Sequence, residues 1–77
     1  MEFDFSKLLG RIVEKYGTRS AFAEAWGRNE SFLSNRLNNK IHFDANEIHE
    51  ICVLLDIPFS EIPVYFFTVK VLLAELN

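Results

Sequence analysis

The spacing of residues between positions 19 and 38 constrains the fold of this 77-residue chain more than any other feature. Ala23 is small where two helix backbones must approach closely, and Gly27 can adopt the positive φ that ends a helix. Leu33 follows Ala23 by ten residues and fills the corner between the helices. The spacing therefore predicts two short helices joined by a tight turn, which is a helix-turn-helix unit.

Apolar periodicity and capping residues predict the helices around this turn. Thr18 is a suitable N-cap for the second helix, and Asn29 caps a third helix over residues 30–38, which Asn38 and Asn39 close. The first helix ends at Gly17, and its apolar face has helical spacing and consists of Phe5, Leu8, Leu9, Ile12, Val13 and Tyr16.

The second half of the chain predicts two more helical segments and an apolar arm. Asp44 and Glu47 form a capping box before a helix whose apolar face holds Ile48, Ile51, Cys52 and Leu55. Prolines 58 and 63 delimit a short fifth helical turn over residues 58–62. The arm, residues 64–77, has the composition of a strand but is compatible with a helix near its end. We therefore expect a mainly α, five-helix domain over residues 1–77, with this arm as strand or helix.

The charge is unevenly distributed along the chain. The net charge is −3, yet residues 5–43 carry seven basic and three acidic side chains, a net charge of +4. The remaining residues carry −7. This polarity suits a domain that presents the predicted helix-turn-helix to a nucleic acid, although a solvated charged face explains it equally well.

The helix-turn-helix pattern resembles that of the phage repressor and Cro type of DNA-binding protein. The chain is more closely similar to small phage regulators that share the strings Leu-Asn-Asn-Lys at residues 37–40 and Tyr-Phe-Phe-Thr at residues 65–68. The resemblance covers residues 3–75, and its specific parts are the helix-turn-helix unit and these two strings. It implies a sequence-specific transcriptional regulator that places residues 30–38 in the major groove of duplex DNA.

Leu33 and Leu37 point inward in the predicted third helix, so the residues expected to read bases from its outer face are Glu30, Ser31, Ser34 and Asn35. By resemblance, Glu30, Ser31 and Asn35 occupy the base-reading positions, and Arg19 occupies a phosphate-binding position. Further phosphate contacts are expected from Arg28, Arg36, Asn38, Lys40 and His42. The arginines at 28 and 36 depart from the family pattern, in which these positions are more commonly apolar. Phe32 could touch a thymine methyl group, but we favour packing against the preceding helix.

One helix-turn-helix reads few bases, so we expect a homodimer on a palindromic operator, with recognition helices about 34 Å apart. The dimer contact is expected in the arm, through Tyr65, Phe66, Phe67, Val69 and Val71. The alternative is an interaction module of the same fold, an antirepressor or modulator that binds another phage regulator instead of an operator. The overall acidity and Glu30 favour this alternative.

Other classes of function find little support in the sequence. The serines lack a plausible histidine and carboxylate set and there is no glycine-rich phosphate loop, so we expect neither an enzyme nor a cofactor. His49 and Cys52 are spaced like two metal ligands, but two more ligands are missing, so no metal site is expected. The acidic amino terminus and the interrupted apolar tract at residues 62–76 predict a cytoplasmic, nucleoid-associated protein of a bacterial cell without a membrane partner.

Overall fold

The computed structural model describes residues 2–71, and in this range the chain forms a mainly α domain with five α-helices. The expected fold class is therefore confirmed. None of these helices has both the length and the apolar character needed to cross a membrane. In chain order the elements are α1 (Ser6–Tyr16), α2 (Arg19–Trp26), α3 (Glu30–Leu37), α4 (Ala45–Leu55), a 3-10 helix (Phe59–Glu61) and α5 (Ile62–Phe66).

Local side-chain hydrogen bonds determine where three of the helices begin. The hydroxyl of Thr18 accepts from the backbone N–H of Ala21 at 3.0 Å, at the start of α2. At α4, the carboxylate of Asp44 accepts from the N–H of Glu47 at 2.8 Å, and Glu47 accepts in return from the N–H of Asp44 at 3.1 Å. The side chain of Asn29 caps α3 in the same way. These bonds satisfy amide groups that have no partner inside their own helix.

The turn between α2 and α3 depends on the backbone freedom of Gly27. This residue ends α2 with φ of 78° and ψ of 23°, in the left-handed region, where a residue with a Cβ atom is strained. Its N–H and that of Arg28 return to carbonyls in the last turn of α2. The chain can thus reverse direction within three residues and begin α3.

The apolar core lies between α1, α2, α4 and α5, with Leu33 contributed by α3. Phe66 of α5 is only 1% exposed, and its ring meets that of Phe43 edge-on at a centroid distance of 5.4 Å. α5 thus completes the core against α1 and α4. The largest fully buried side chains are Phe22, Phe66, Leu8, Ile12, Leu33, Ile51, Leu55 and Cys52.

A buried ion pair connects α3 to the beginning of α4. The guanidinium of Arg36 donates two hydrogen bonds to the carboxylate of Glu47, at 2.8 Å from Nε and 3.0 Å from Nη2. The Arg36 and Glu47 side chains are only 10% and 7% exposed, respectively. Arg36 also donates to the carbonyl of Phe32 at 3.2 Å, and its guanidinium lies 3.5 Å from the centroid of the Phe32 ring. The pair therefore has additional partners that offset the cost of removing both charges from water.

The described part of the predicted arm consists of a helical segment followed by a non-helical segment. Its first residues, 64–66, belong to α5, and residues 67–71 are not helical. An isolated antiparallel bridge joins Val69 to Phe3, supported by backbone bonds from Asp4 to Thr68 and from Lys70 to Glu2. Residues 72–77, for which we left strand and helix open, lie outside the described residues.

Loss of the ion pair should destabilise the domain strongly. We expect Arg36→Ala to lower the free energy of unfolding by about 3 kcal/mol, because Glu47 is left buried with an uncompensated charge. Glu24→Ala, at an exposed position on α2, should change it by less than about 0.5 kcal/mol. Urea unfolding followed by circular dichroism measures both. A loss near that of the control would show that the pair does not hold α3 in place.

Candidate functional site

The four residues predicted to read bases lie together on the outer side of α3. Glu30 and Ser31 are exposed, while Ser34 and Asn35 are half-buried. The hydroxyl of Ser34 accepts from the side-chain amide of Asn38 at 3.1 Å, so these two residues are already bonded to each other. The carbonyl of Asn35 accepts from the N–H groups of two residues in the following turn.

The residues predicted to contact phosphates differ in how far their charged groups reach solvent. Arg36 is the clearest correction, because its guanidinium is buried against Glu47 instead of facing solvent. Arg28 is exposed, but its guanidinium lies over the rings of Trp26 and Phe32, at 5.6 and 4.6 Å from the two centroids. Both guanidinium groups therefore cover aromatic surface, but only that of Arg36 is buried, since Arg28 remains exposed.

Two of the remaining predicted phosphate contacts lie at one depression. Arg19 is half-buried and lines a depression of about 340 Å³ together with Asn38 and Lys70, and the carboxylate-bearing Glu2 and Asp4 line it as well. Lys40 and His42 are exposed in the loop that follows α3, where the His42 ring meets Phe3 edge-on. Phe32 packs edge-on against Trp26 at 5.5 Å, as we favoured, and is half-buried.

Ion pairing also reduces the positive charge that the sequence assigned to residues 5–43. Two of its seven basic side chains pair with carboxylates from outside this range, Lys15 with Asp56 and Arg36 with Glu47. Arg11 pairs with Glu14, which the sum of +4 already includes. Asp56 and Glu47 come from the acidic second half of the chain, so folding brings opposite charges together. The separation of positive from negative charge is therefore smaller on the folded surface than the sums of charge along the sequence suggest.

Local contacts shift the pKa values of three groups. The Lys15 ammonium lowers the pKa of Asp56, and the N–H of Ser6 donates to Asp4 and lowers the pKa of that carboxyl. Burial raises the pKa of the Cys52 thiol, which is 1% exposed in the core. The Cys52 thiol is thus held protonated near neutral pH, as expected of a structural cysteine.

The residues predicted to form the dimer contact lie partly in the core and partly on the surface. Phe66 packs into the core of its own chain and Tyr65 is half-buried, with the Lys7 ammonium 5.1 Å from its ring centroid. Phe67, Val69 and Val71 are about half exposed. Phe66 therefore stabilises the monomer fold and is not available to a second copy.

A surface that the sequence reasoning missed lies between α4 and the 3-10 helix. An open groove of about 310 Å³ is lined there by Ala45, Ile48, His49, Phe59 and Ile62, and we call it the Phe59 groove. Phe59 is 57% exposed, a large value for a phenylalanine. The sequence held one signal for an exposed Phe59. This residue lies between Pro58 and Ser60 in a short turn, and no residue of that turn is buried.

These features define a small helix-turn-helix protein whose third helix buries its one basic side chain, Arg36, against Glu47. The chain matches the family model described as "Protein of unknown function (DUF739)" over residues 1–69, and it belongs to this family. It is also similar to the solution structure of the modulator of repression (MOR) of the temperate bacteriophage TP901-1 from Lactococcus lactis. The two are 42% identical, with a TM-score of 0.80 over 94% of this chain and 97% of the other. No curated protein sequence matches the chain.

These comparisons correct the expectation from sequence. The assignment to the phage repressor and Cro type was wrong. The family model that matches is DUF739, and the 42% identical structure is that of a modulator of repression. The interpretation as an operator-binding transcriptional regulator is overturned by the same similarity to a modulator of repression, and the alternative of a module that binds another regulator agrees with it better. The palindromic operator and the homodimer followed from that interpretation and lose their support.

The Lys15–Asp56 pair should make part of the stability depend on pH. The pKa of Asp56 is lowered in the folded protein, so its contribution is present above the unfolded pKa near 4 and is lost as the pH falls through the lowered value. Asp56→Asn tests this, because asparagine tolerates the left-handed φ of 53° at this position.

We expect the wild type to be more stable than Asp56→Asn at pH 7 and the difference to shrink as the pH falls below about 4 and through the lowered pKa of Asp56, as measured by urea unfolding. Glu24→Gln, an exposed carboxylate on α2, is the matched control. A difference between wild type and Asp56→Asn that stays constant with pH would contradict the assignment.

Proposed function

We propose that this protein modulates repression by binding another phage regulator, most directly a phage repressor. The observation that carries the proposal is the similarity to the modulator of repression of bacteriophage TP901-1, at 42% identity over nearly the full length of both chains. This similarity goes beyond a shared helix-turn-helix fold, which by itself would not indicate a function.

The arrangement of α3 supports a protein partner over an operator. Arg36 is committed to Glu47, Arg28 lies over aromatic rings, and Asn38 is bonded to Ser34. Since phosphate neutralisation supplies most non-specific affinity for DNA, a chain of net charge −3 whose Arg36 is buried and whose Arg28 lies over an aromatic ring is poorly equipped for it. The same charge is no obstacle to binding a basic protein.

Binding alone is sufficient for the proposed role, so we propose no catalytic step. A modulator changes operator occupancy only if its affinities for the operator-bound and operator-free repressor differ. By linkage, operator DNA then changes the affinity of the repressor for the modulator by the same factor. The proposed place of action is the bacterial cytoplasm, where a repressor meets its operator.

A gel-shift titration tests the proposal with the repressor encoded in the same genome and a fragment that carries its operator, at one moderate salt concentration. The protein alone should leave the fragment unshifted at the concentration at which the repressor saturates it. When added to the repressor, it should change the apparent affinity for the operator by about fivefold or more.

A repressor from an unrelated phage on its own operator is the control and should be unaffected. The proposal fails if the cognate repressor keeps its operator affinity at saturating concentrations of the protein. It also fails if the protein alone shifts the operator fragment specifically.

A further inference from the structure

The Phe59 groove is an apolar depression on a surface that is otherwise solvated. Its floor is formed by Ile48, which is 9% exposed, and its walls include the half-buried Ile62. The Phe59 ring lies at its edge, 5.1 Å from the centroid of the His49 ring and tilted by 53°. The groove is large enough to accept one apolar side chain of the size of leucine, methionine or phenylalanine.

A second depression continues this surface along α4. It has a volume of about 440 Å³, shares His49 with the Phe59 groove, and is bordered by Val53 and Trp26. Val53 is 61% exposed, so apolar side chains project to solvent in both depressions, which together we call the strip, although Arg28 and Glu50 also line the second one. Exposed apolar side chains grouped in this way on a domain this small are typical of an interaction surface.

The charges near the strip indicate the chemistry of its partner. Residues 44–69 contain five carboxylates and neither lysine nor arginine. Glu47 and Asp56 are neutralised by basic residues of α3 and α1, and the other three are Asp44, Glu50 and Glu61. Asp44 and Glu50 are exposed, and Glu61 belongs to the same 3-10 helix as Phe59. None of these carboxylates lines the Phe59 groove, but Asp44 and Glu61 directly precede its lining residues Ala45 and Ile62 in the chain, while Glu50 lines the second depression beside Arg28. The charged residues next to the groove along the chain are therefore acidic.

We propose that the Phe59 groove is the docking site for the regulator and receives an apolar side chain flanked by lysine or arginine. The inference rests on the proposed function and adds the surface that performs it. An apolar centre with a charged rim is the usual anatomy of a specific protein interface, and an aromatic side chain at its centre carries much of the affinity. A repressor must carry basic side chains to neutralise phosphates, so it has the complementary charges.

The test measures the dissociation constant between the full-length protein and the repressor encoded in the same genome by isothermal titration calorimetry. Phe59→Ser should weaken binding by about tenfold or more, because it removes the apolar wall of the groove. Glu61→Lys should weaken it by about threefold or more at low salt and less at high salt, because its effect is electrostatic.

The matched controls change the same chemistry elsewhere. Val13→Ser removes an apolar side chain that is 48% exposed on α1, and Glu24→Lys reverses an exposed charge on α2. Both should bind as the wild type does. Thermal unfolding of every variant separates a loss of binding from a loss of fold.

The outcomes distinguish the inference from the proposed function. If the wild type binds the repressor and folded Phe59→Ser and Glu61→Lys bind equally well, the groove is not the docking site, although the proposed function stands. If the wild type does not bind, the proposed function itself fails. If sedimentation shows a wild-type dimer that Phe59→Ser dissociates, the groove belongs to a second copy of the chain and the inference is overturned.

Discussion

The buried pair between Arg36 and Glu47 fixes how α3 sits on the domain. Glu47 belongs both to this pair and to the capping box that begins α4, so one carboxylate holds the end of α3 and the start of α4 together. The Phe32 ring covers the guanidinium and in turn packs against Trp26 of α2. The orientation of the helix-turn-helix unit therefore depends on a polar cluster as well as on the apolar core.

This cluster also limits which basic side chains the helix-turn-helix unit presents to solvent. The fold places α3 at the surface, but binding to a duplex needs basic side chains that reach phosphates. In this chain the cluster takes Arg36 out of solvent and draws Arg28 onto the same ring. The solvent-facing chemistry is more distinctive on α4 and the 3-10 helix, where apolar side chains lie among carboxylates.

Local features of the fold could be predicted from the sequence. The caps at Thr18, Asn29 and Asp44, and the left-handed Gly27, follow from interactions within four residues, which sequence spacing encodes directly. Val13 shows the limit of this reasoning, because it has the spacing of the apolar face of α1 yet is 48% exposed. Helical periodicity identifies a face but not how far the neighbouring helices cover it.

The candidate site was less predictable because it depends on contacts between helices. The sequence shows that Arg36 is basic, but not that it meets a carboxylate eleven residues later. Summing charges along residues 5–43 likewise ignored partners such as Asp56 that arrive only on folding. Phe66 was placed in an interchain contact because the apolar arm was treated as one segment, whereas its first turn belongs to the core.

The most direct test of this account is a chemical-shift comparison on the isotope-labelled protein, with assigned backbone amides. Unlabelled cognate repressor and unlabelled operator duplex are added separately at low salt, the condition that most favours binding to DNA. The account predicts that the repressor perturbs amides of α4 and the 3-10 helix, while the duplex leaves those of α3 unchanged. Saturable shifts at Ser31, Ser34 and Asn35 on addition of the duplex would contradict it.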